Sequence, residues 1–171
     1  MNATRILVAQ HSAITTLFEE LAHERGRARA RAVSRLAEEL IAHMSAEESV
    51  FYPAARRVLE DEAPLGGAGR DAHLAMRMQL RRVLQATIGQ PLFETSISGL
   101  RELFDRHVEE EETALFPRAE AALGHAALEV LGAAVLASRP PIWIVTTEGR
   151  ELVQSADGWS LRGGVSLPTL G

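Results

Sequence analysis

One pattern occurs twice in this chain and constrains it more than anything else. HMSAEESVFYP at 43–53 and HVEEEETALFP at 107–117 share the form H-x3-E-E-x2-[FL]-[YF]-P. His43 aligns with His107, Glu47 with Glu111, Glu48 with Glu112 and Pro53 with Pro117, all at one constant offset. Two single histidines, His11 and His73, precede the two copies at almost the same offset. The chain therefore reads as two helix pairs, each with a lone histidine on its first helix and H-x3-E on its second.

Apolar residues recur at intervals of three and four, the period of an amphipathic helix. Leu7, His11, Ile14, Phe18 and Leu21 share a stripe over about 4–24, and Gly26 follows it. Val33, Leu36, Leu40, His43, Glu47 and Phe51 share one over about 28–59, and His73, Met76, Leu80 and Leu84 one over about 70–87. Leu100, Phe104, His107, Glu111 and Leu115 align over about 91–122. EDEAPLGGAGR at 60–70 reads as the clearest loop, Pro91 as a first helical residue, and Gly124 as a helix cap. A fifth, shorter helix is expected over 125–137, before Pro140 and Pro141. IWIVTT, a Glu148-Gly149 turn and ELVQ predict a hairpin over 142–154, with Trp143 and Trp159 packing the tail onto the bundle. The expected fold is all-α: an up-down four-helix bundle over 1–124, with a short helix, hairpin and tail over 125–171.

Glutamate four residues after histidine lies on the same helical face, one turn along. Glu47 and Glu111 thus project inward, where an ionised carboxylate is costly unless paired or metal-bound. Two facing carboxylates also repel, and one would hold a proton. One divalent ion, or two, removes the conflict, because imidazole and carboxylate are both competent ligands. Two histidines per metal with two shared glutamates make a six-ligand dinuclear set: His11, His43, Glu47, His73, His107 and Glu111. Spacing alone permits zinc or manganese as well as iron. Each piece is weak singly, since His125 with Glu129 is a third H-x3-E lacking the rest of the pattern. His23 reads as exposed. Glu48 and Glu112 are either partners that orient a ligand histidine or solvated charges. Tyr52, the one tyrosine, points off the ligand stripe on a regular helix, whereas Phe51 and Leu115 fall one turn beyond the glutamates. Pro53 and Pro117 each remove a helical hydrogen bond and bend the axis, orphaning the carbonyls of Ser49 and Thr113.

Composition narrows the remaining options. The absence of cysteine removes disulfides, thiolate metal sites and thiol catalysis. A net charge of -5 argues against nucleic acid as the main partner. Arg25, Arg27, Arg29, Arg31 and Arg35 form a local basic cluster that reads as a solvated first turn. The run LEVLGAAVLA at 128–137 is too short to span a bilayer and is broken by Glu129, so no membrane partner is expected. The start of the chain lacks the long apolar stretch of a signal peptide, and a cytoplasmic monomer or weak homodimer is expected.

The motifs HSAI at 11–14, HMSAEESVFYP at 43–53, DAHLAM at 71–76 and HVEEEETALFP at 107–117 resemble the hemerythrin-like family, also called the HHE cation-binding domain. The resemblance covers about residues 4–122. It implies a non-haem di-iron centre with an oxo or hydroxo bridge inside a four-helix bundle. It also implies that His11, His43, His73 and His107 are terminal ligands and that Glu47 and Glu111 bridge the irons. Oxygen-carrying members have a fifth histidine where this chain has Arg77, and an aspartate five residues after the last histidine where this chain has Glu111 four after His107. The set is closer to the bacterial branch linked to nitric oxide, peroxide and iron–sulfur repair, without the cysteine-bearing segment usual in repair proteins. The implied function is a di-iron protein that binds or turns over dioxygen, nitric oxide or hydrogen peroxide, in oxidative or nitrosative stress defence. The competing readings are an iron- or oxygen-sensing or metal-storage module without turnover, whose tail 138–171 reports the metal state, and a structural zinc bundle.

Overall fold

The structure is a computed structural model that describes residues 1–59, 63–138, 143–145, 151–155 and 158–162. The chain falls into two compact units, Met1–Arg139 and Pro140–Gly171. The first begins with α1 (Ala3–His23), whose N-cap Asn2 accepts a hydrogen bond from the Arg5 amide, and α2 (Gly26–Ala46). α2 runs through a π turn, Glu47–Phe51, into α3 (Tyr52–Val58). α4 spans Ala63–Gln85. α5 (Pro91–Glu110) runs through a second π turn, Glu111–Leu115, into α6 (Phe116–Ala137). These helices form four rods, with α1 against α2 and α6, and α4 against α5 and α2.

The two π turns occupy corresponding places in the two halves. In each, the amide after the turn reaches back five residues: Tyr52 to the Glu47 carbonyl, and Phe116 to that of Glu111. Proline follows at once in both. Ser49 donates its hydroxyl to the Ser45 carbonyl, and Thr113 to that of Glu109, contacts that accompany helix bending. A regular helix turns about 100° per residue, which puts position five well off the face of position zero. The wider π turn brings them into line. Tyr52 and Phe116 therefore stand over Glu47 and Glu111 and face the centre, contrary to the α-helical register expected for Tyr52. Phe51 and Leu115 are buried with Tyr52 and Phe116 in one hydrophobic cluster.

Two further boundaries differ from the sequence reading. α4 begins at Ala63, inside the expected loop, so Gly69 lies within a helix. Its missing side chain has a packing reason: a Cβ there would lie 2.6 Å from the Tyr52 hydroxyl. The break expected at Gly124 is present: within Phe116–Ala137 its φ of 73° and ψ of 167° are non-helical and separate two helical pieces. Residues 125–138 also belong to the first unit rather than to the tail. Leu128 and Val135 are buried in one cluster with Ala3, Ile6 and Leu7. Gly132 leaves room for the backbone at Met1–Ala3.

Among the described residues, the rod Pro91–Ala137 is long and apolar enough by length and composition to cross a membrane. It is also the rod that carries buried His107 and Glu111 into the bundle.

In the second unit, the described residues pair as β1 (Trp143–Val145), β2 (Glu151–Ser155) and β3 (Gly158–Arg162), antiparallel in that order. The hairpin expected over 142–154 is not established, because its connecting residues 146–150 lie outside the described residues, as do the side chains of Trp143 and Trp159.

The Gly124 conformation belongs to a region of backbone space reserved almost wholly for glycine. Gly124→Ala is expected to lower stability by about 1–3 kcal/mol. Urea unfolding of the variant beside the parent measures this, and equal midpoints would show that the kink tolerates a side chain.

Candidate metal centre

Each rod sends one face into the middle of the bundle. α1 contributes His11, α2 and its π turn His43 and Glu47, α4 His73, and α5 and its π turn His107 and Glu111. All six are buried, none more than 3% exposed. The described structure thus brings together every candidate ligand named from sequence. His23 is exposed, and His125 is 81% exposed beside Glu129, away from the cluster.

The histidines form two pairs through Nε2: His11 with His43 at 3.1 Å, and His73 with His107 at 3.4 Å. The carboxylates lie between the pairs. Glu47 Oε2 is 3.2 Å from His43 Nε2 and 3.1 Å from His73 Nε2, so it touches one member of each. Glu111 Oε2 is 3.4 Å from both His11 Nε2 and His107 Nε2, which again joins the pairs. Ligand atoms of His11, His43, Glu47, His107 and Glu111 all lie within 4.8 Å of one another. His73 is reached through Glu47 and His107, at the far end of the cluster.

The outward nitrogens fix which way each ring faces. His11 Nδ1 is 2.8 Å from Glu112 Oε1, His73 Nδ1 2.8 Å from Glu48 Oε1, and His43 Nδ1 3.0 Å from Gln10 Oε1. Facing an oxygen acceptor, each Nδ1 carries the proton, and each Nε2 turns a lone pair inward. Glu48 and Glu112 therefore orient histidines, and each does so across the molecule: Glu48 of the first half holds His73 of the second, and Glu112 of the second holds His11 of the first. Arg77, at the place of the missing fifth histidine, grips both oxygens of Glu48 at 2.7 and 3.0 Å. Gln10 was not identified from sequence. Its place beside His11, one residue back on α1, was the available signal.

The rings above the π turns follow the same exchange. Tyr52 stacks on His73 with centroids 5.4 Å apart, and Phe116 stacks on His11 at 5.8 Å. The two halves differ at this one equivalent position by a hydroxyl. Tyr52 Oη donates to Glu111 Oε1 at 2.7 Å and lies 3.2 Å from His73 Nε2. Phe116 has no hydroxyl to give Glu47. Accordingly both oxygens of Glu47, but only Oε2 of Glu111, are buried without a hydrogen-bond donor.

The electrostatics match this geometry. Burial, and then the facing Glu111, push the Glu47 carboxyl well above the ordinary carboxylate range. Burial also pushes Glu111 upward, but the contact with His11 overcomes it and holds the group down to about 2. Burial lowers His43 well below the usual imidazole range, and His11 beside it adds to this. Burial lowers His107 to about 4, and it lowers His73 against the opposing pull of Glu48. His43, His73 and His107 are therefore held neutral, and three of the four carboxylate oxygens are without a donor. Lone pairs facing one another and orphaned carboxylate oxygens are what a divalent cation satisfies, so the donor set fits a bound metal.

Outside the centre, Arg29 is not the solvated charge expected of the basic cluster. It is 8% exposed, forms a bidentate pair with Glu94 at 2.6 and 2.8 Å, and lies over the Phe93 ring.

Tyr52→Phe keeps the ring stack but leaves Glu111 Oε1 without its donor. The expected cost in the metal-free protein is about 1–3 kcal/mol, measured by urea unfolding. A smaller loss would mean that the hydroxyl is not the partner that satisfies Glu111.

The comparisons agree with this architecture. The model of the family described as Hemerythrin HHE cation binding domain matches residues 2–119. A crystal structure of a hemerythrin HHE cation binding domain-containing protein, the Rv2633c homolog from Mycobacterium kansasii, is similar with a TM-score of 0.71. That match has 24% sequence identity and covers 80% of this chain and 84% of that one, a likeness of fold. No curated protein matches the chain in sequence. With most of its length matched by the family and its paired His/Glu cluster at the bundle centre, this chain belongs to the Hemerythrin HHE cation-binding domain family.

Proposed function

We propose that His11, His43, Glu47, His73, His107 and Glu111 hold two non-haem iron ions, and that this centre binds or turns over a small oxidant of the class of dioxygen, nitric oxide or hydrogen peroxide. One observation carries the reading: each buried carboxylate touches a histidine of both pairs and lacks enough donors of its own. That is the arrangement a carboxylate shared between two cations requires. His11 with His43 would hold one iron, and His73 with His107 the other. Bound iron supplies redox change and coordination positions that six protein ligands leave free.

The chain's own residues do the rest. Glu112, Glu48 and Gln10 keep the Nε2 lone pairs of His11, His73 and His43 turned inward, so the imidazoles need little reorganisation on binding. Phe51, Phe104 and Phe116, none above 3% exposed, exclude bulk water around the cluster. Tyr52 Oη, 2.7 Å from Glu111 Oε1, holds a proton within hydrogen-bond reach of the centre. No other buried hydroxyl contacts the six candidate ligands among the described residues.

Metal analysis and an absorption spectrum of protein purified aerobically from iron-supplemented cells test this. The expected result is about two irons per chain with near-ultraviolet charge-transfer bands, followed by reaction with peroxide or nitric oxide. One zinc and a featureless spectrum would defeat the redox reading. Glu47→Ala is expected to lose at least one iron, because Glu111 alone then links the histidine pairs. Two irons with an unchanged spectrum in that variant would refute the bridging role. Iron is also expected to raise the unfolding temperature, since a ligand at about a hundred times its Kd stabilises the folded state by about 2.7 kcal/mol. No shift on chelation would count against a centre built into the core.

A further inference from the structure

The six candidate ligands are sealed from solvent, so a small molecule must cross the wall of the bundle to meet them. Among the described residues, two hollows approach that wall. A cleft of about 260 Å³ lies between α1 and α6, lined among others by Thr4, Val8, Glu112 and Phe116. Its floor is closed: Phe116 is stacked on His11, Glu112 is hydrogen-bonded to the same ring, and Thr4 is hydrogen-bonded to Glu120 across the cleft.

The second hollow is smaller and more enclosed, about 50 Å³, between α1, α2 and the end of α6. His43 itself is part of its wall, with Gln10, Ala42, Ala46, Val135 and Ser138. A water needs about 10–15 Å³ of such volume, so this space takes a molecule of two or three heavy atoms and no organic substrate. Its inner end is guarded by small groups. Ala42 and Ala46 flank His43 on α2, and the Gln10 amide lies 3.0 Å from His43 Nδ1. Gln10 is half-buried, and its side chain has torsional freedom that the Phe116 ring stack lacks.

We infer that small ligands reach the centre through this pocket, past Gln10 and between Ala42 and Ala46, on the side of the His11–His43 pair. Gln10 then has two tasks: it orients His43 and it forms the movable part of the gate. Entry by this route limits the ligand by size before any chemistry at the metal selects it. The inference rests on the proposed di-iron reading and adds the direction of approach.

Azide, a three-atom anion, is the probe. Its association with the iron-loaded, oxidised protein is followed by stopped-flow absorption in Ala42→Leu, Ala46→Leu and, as the cleft control, Val8→Phe. Side chains that fill the pocket are expected to slow both association and dissociation by about tenfold or more, since packed interiors yield little. The Kd stays unchanged, the mark of a barrier rather than of a damaged site. Val8→Phe is expected to keep the parent rates. Ala46 is buried and its variant is the more prone to misfold, whereas Ala42 is half-buried and carries the test alone if needed. Parent rates in Ala42→Leu, or slowing in Val8→Phe instead, would overturn the route. Iron content is measured on every sample. A parent protein that takes up no iron removes the metal-centre reading, and the route with it. Full iron with unchanged azide rates removes the route alone.

Discussion

Two carboxylates face each other in the middle of this bundle with too few donors between them. Everything around the site follows from that conflict. An isolated ionised carboxylate in such a place is costly, and two in contact are costlier. Without a cation, the pair keeps a proton on Glu47, where burial and Glu111 both favour it. With cations, the orphaned oxygens and the inward nitrogens of the four imidazoles would become ligands. Glu48, Glu112 and Gln10 stand behind three of those imidazoles and keep them correctly turned. The bundle accepts local instability in exchange for a donor set complete before any ion arrives.

Much of this was legible in the sequence. Helical periodicity put His11, His43, His73 and His107 on the inward stripes, and the spacing of H-x3-E put Glu47 and Glu111 beside them. The duplicated order separated these residues from His125 with Glu129, which has the same spacing and lies exposed. What periodicity could not supply was the change of register after each glutamate. A regular helix turns Tyr52 away from the site, and only the extra residue of the π turn turns it back. The signal was there in outline, as proline six residues after Glu47 and six after Glu111, but proline alone says that a helix bends and not by how much it unwinds. The partners of Glu48 and Glu112 were illegible for another reason. They lie on the opposite half of the molecule, and a contact between helices distant in sequence leaves no trace in local spacing. The early start of α4 was missed because glycines read as a loop, when Gly69 is spared a side chain to admit Tyr52.

The equivalence of the halves is broken at one atom. Tyr52 and Phe116 occupy matching places, and only the former can donate a hydrogen bond. The two carboxylates would therefore enter a metal complex with different basicity, and the two histidine pairs are inequivalent from the start. Arg77 adds to the difference, clamping the carboxylate behind His73, while the one behind His11 faces the cleft.

The crosswise support of the histidines has a consequence for how the protein comes apart. Glu48 and Tyr52 serve a histidine of the other half, and so do Glu112 and Phe116. Neither helix pair contains a finished half-site. If one pair peels away, His11 or His73 loses the carboxylate that orients it, and each glutamate faces water or an empty wall. Separation of the halves therefore dismantles the donor set in one event, and a cation held there would act as a clasp whose release is felt along the whole bundle at once.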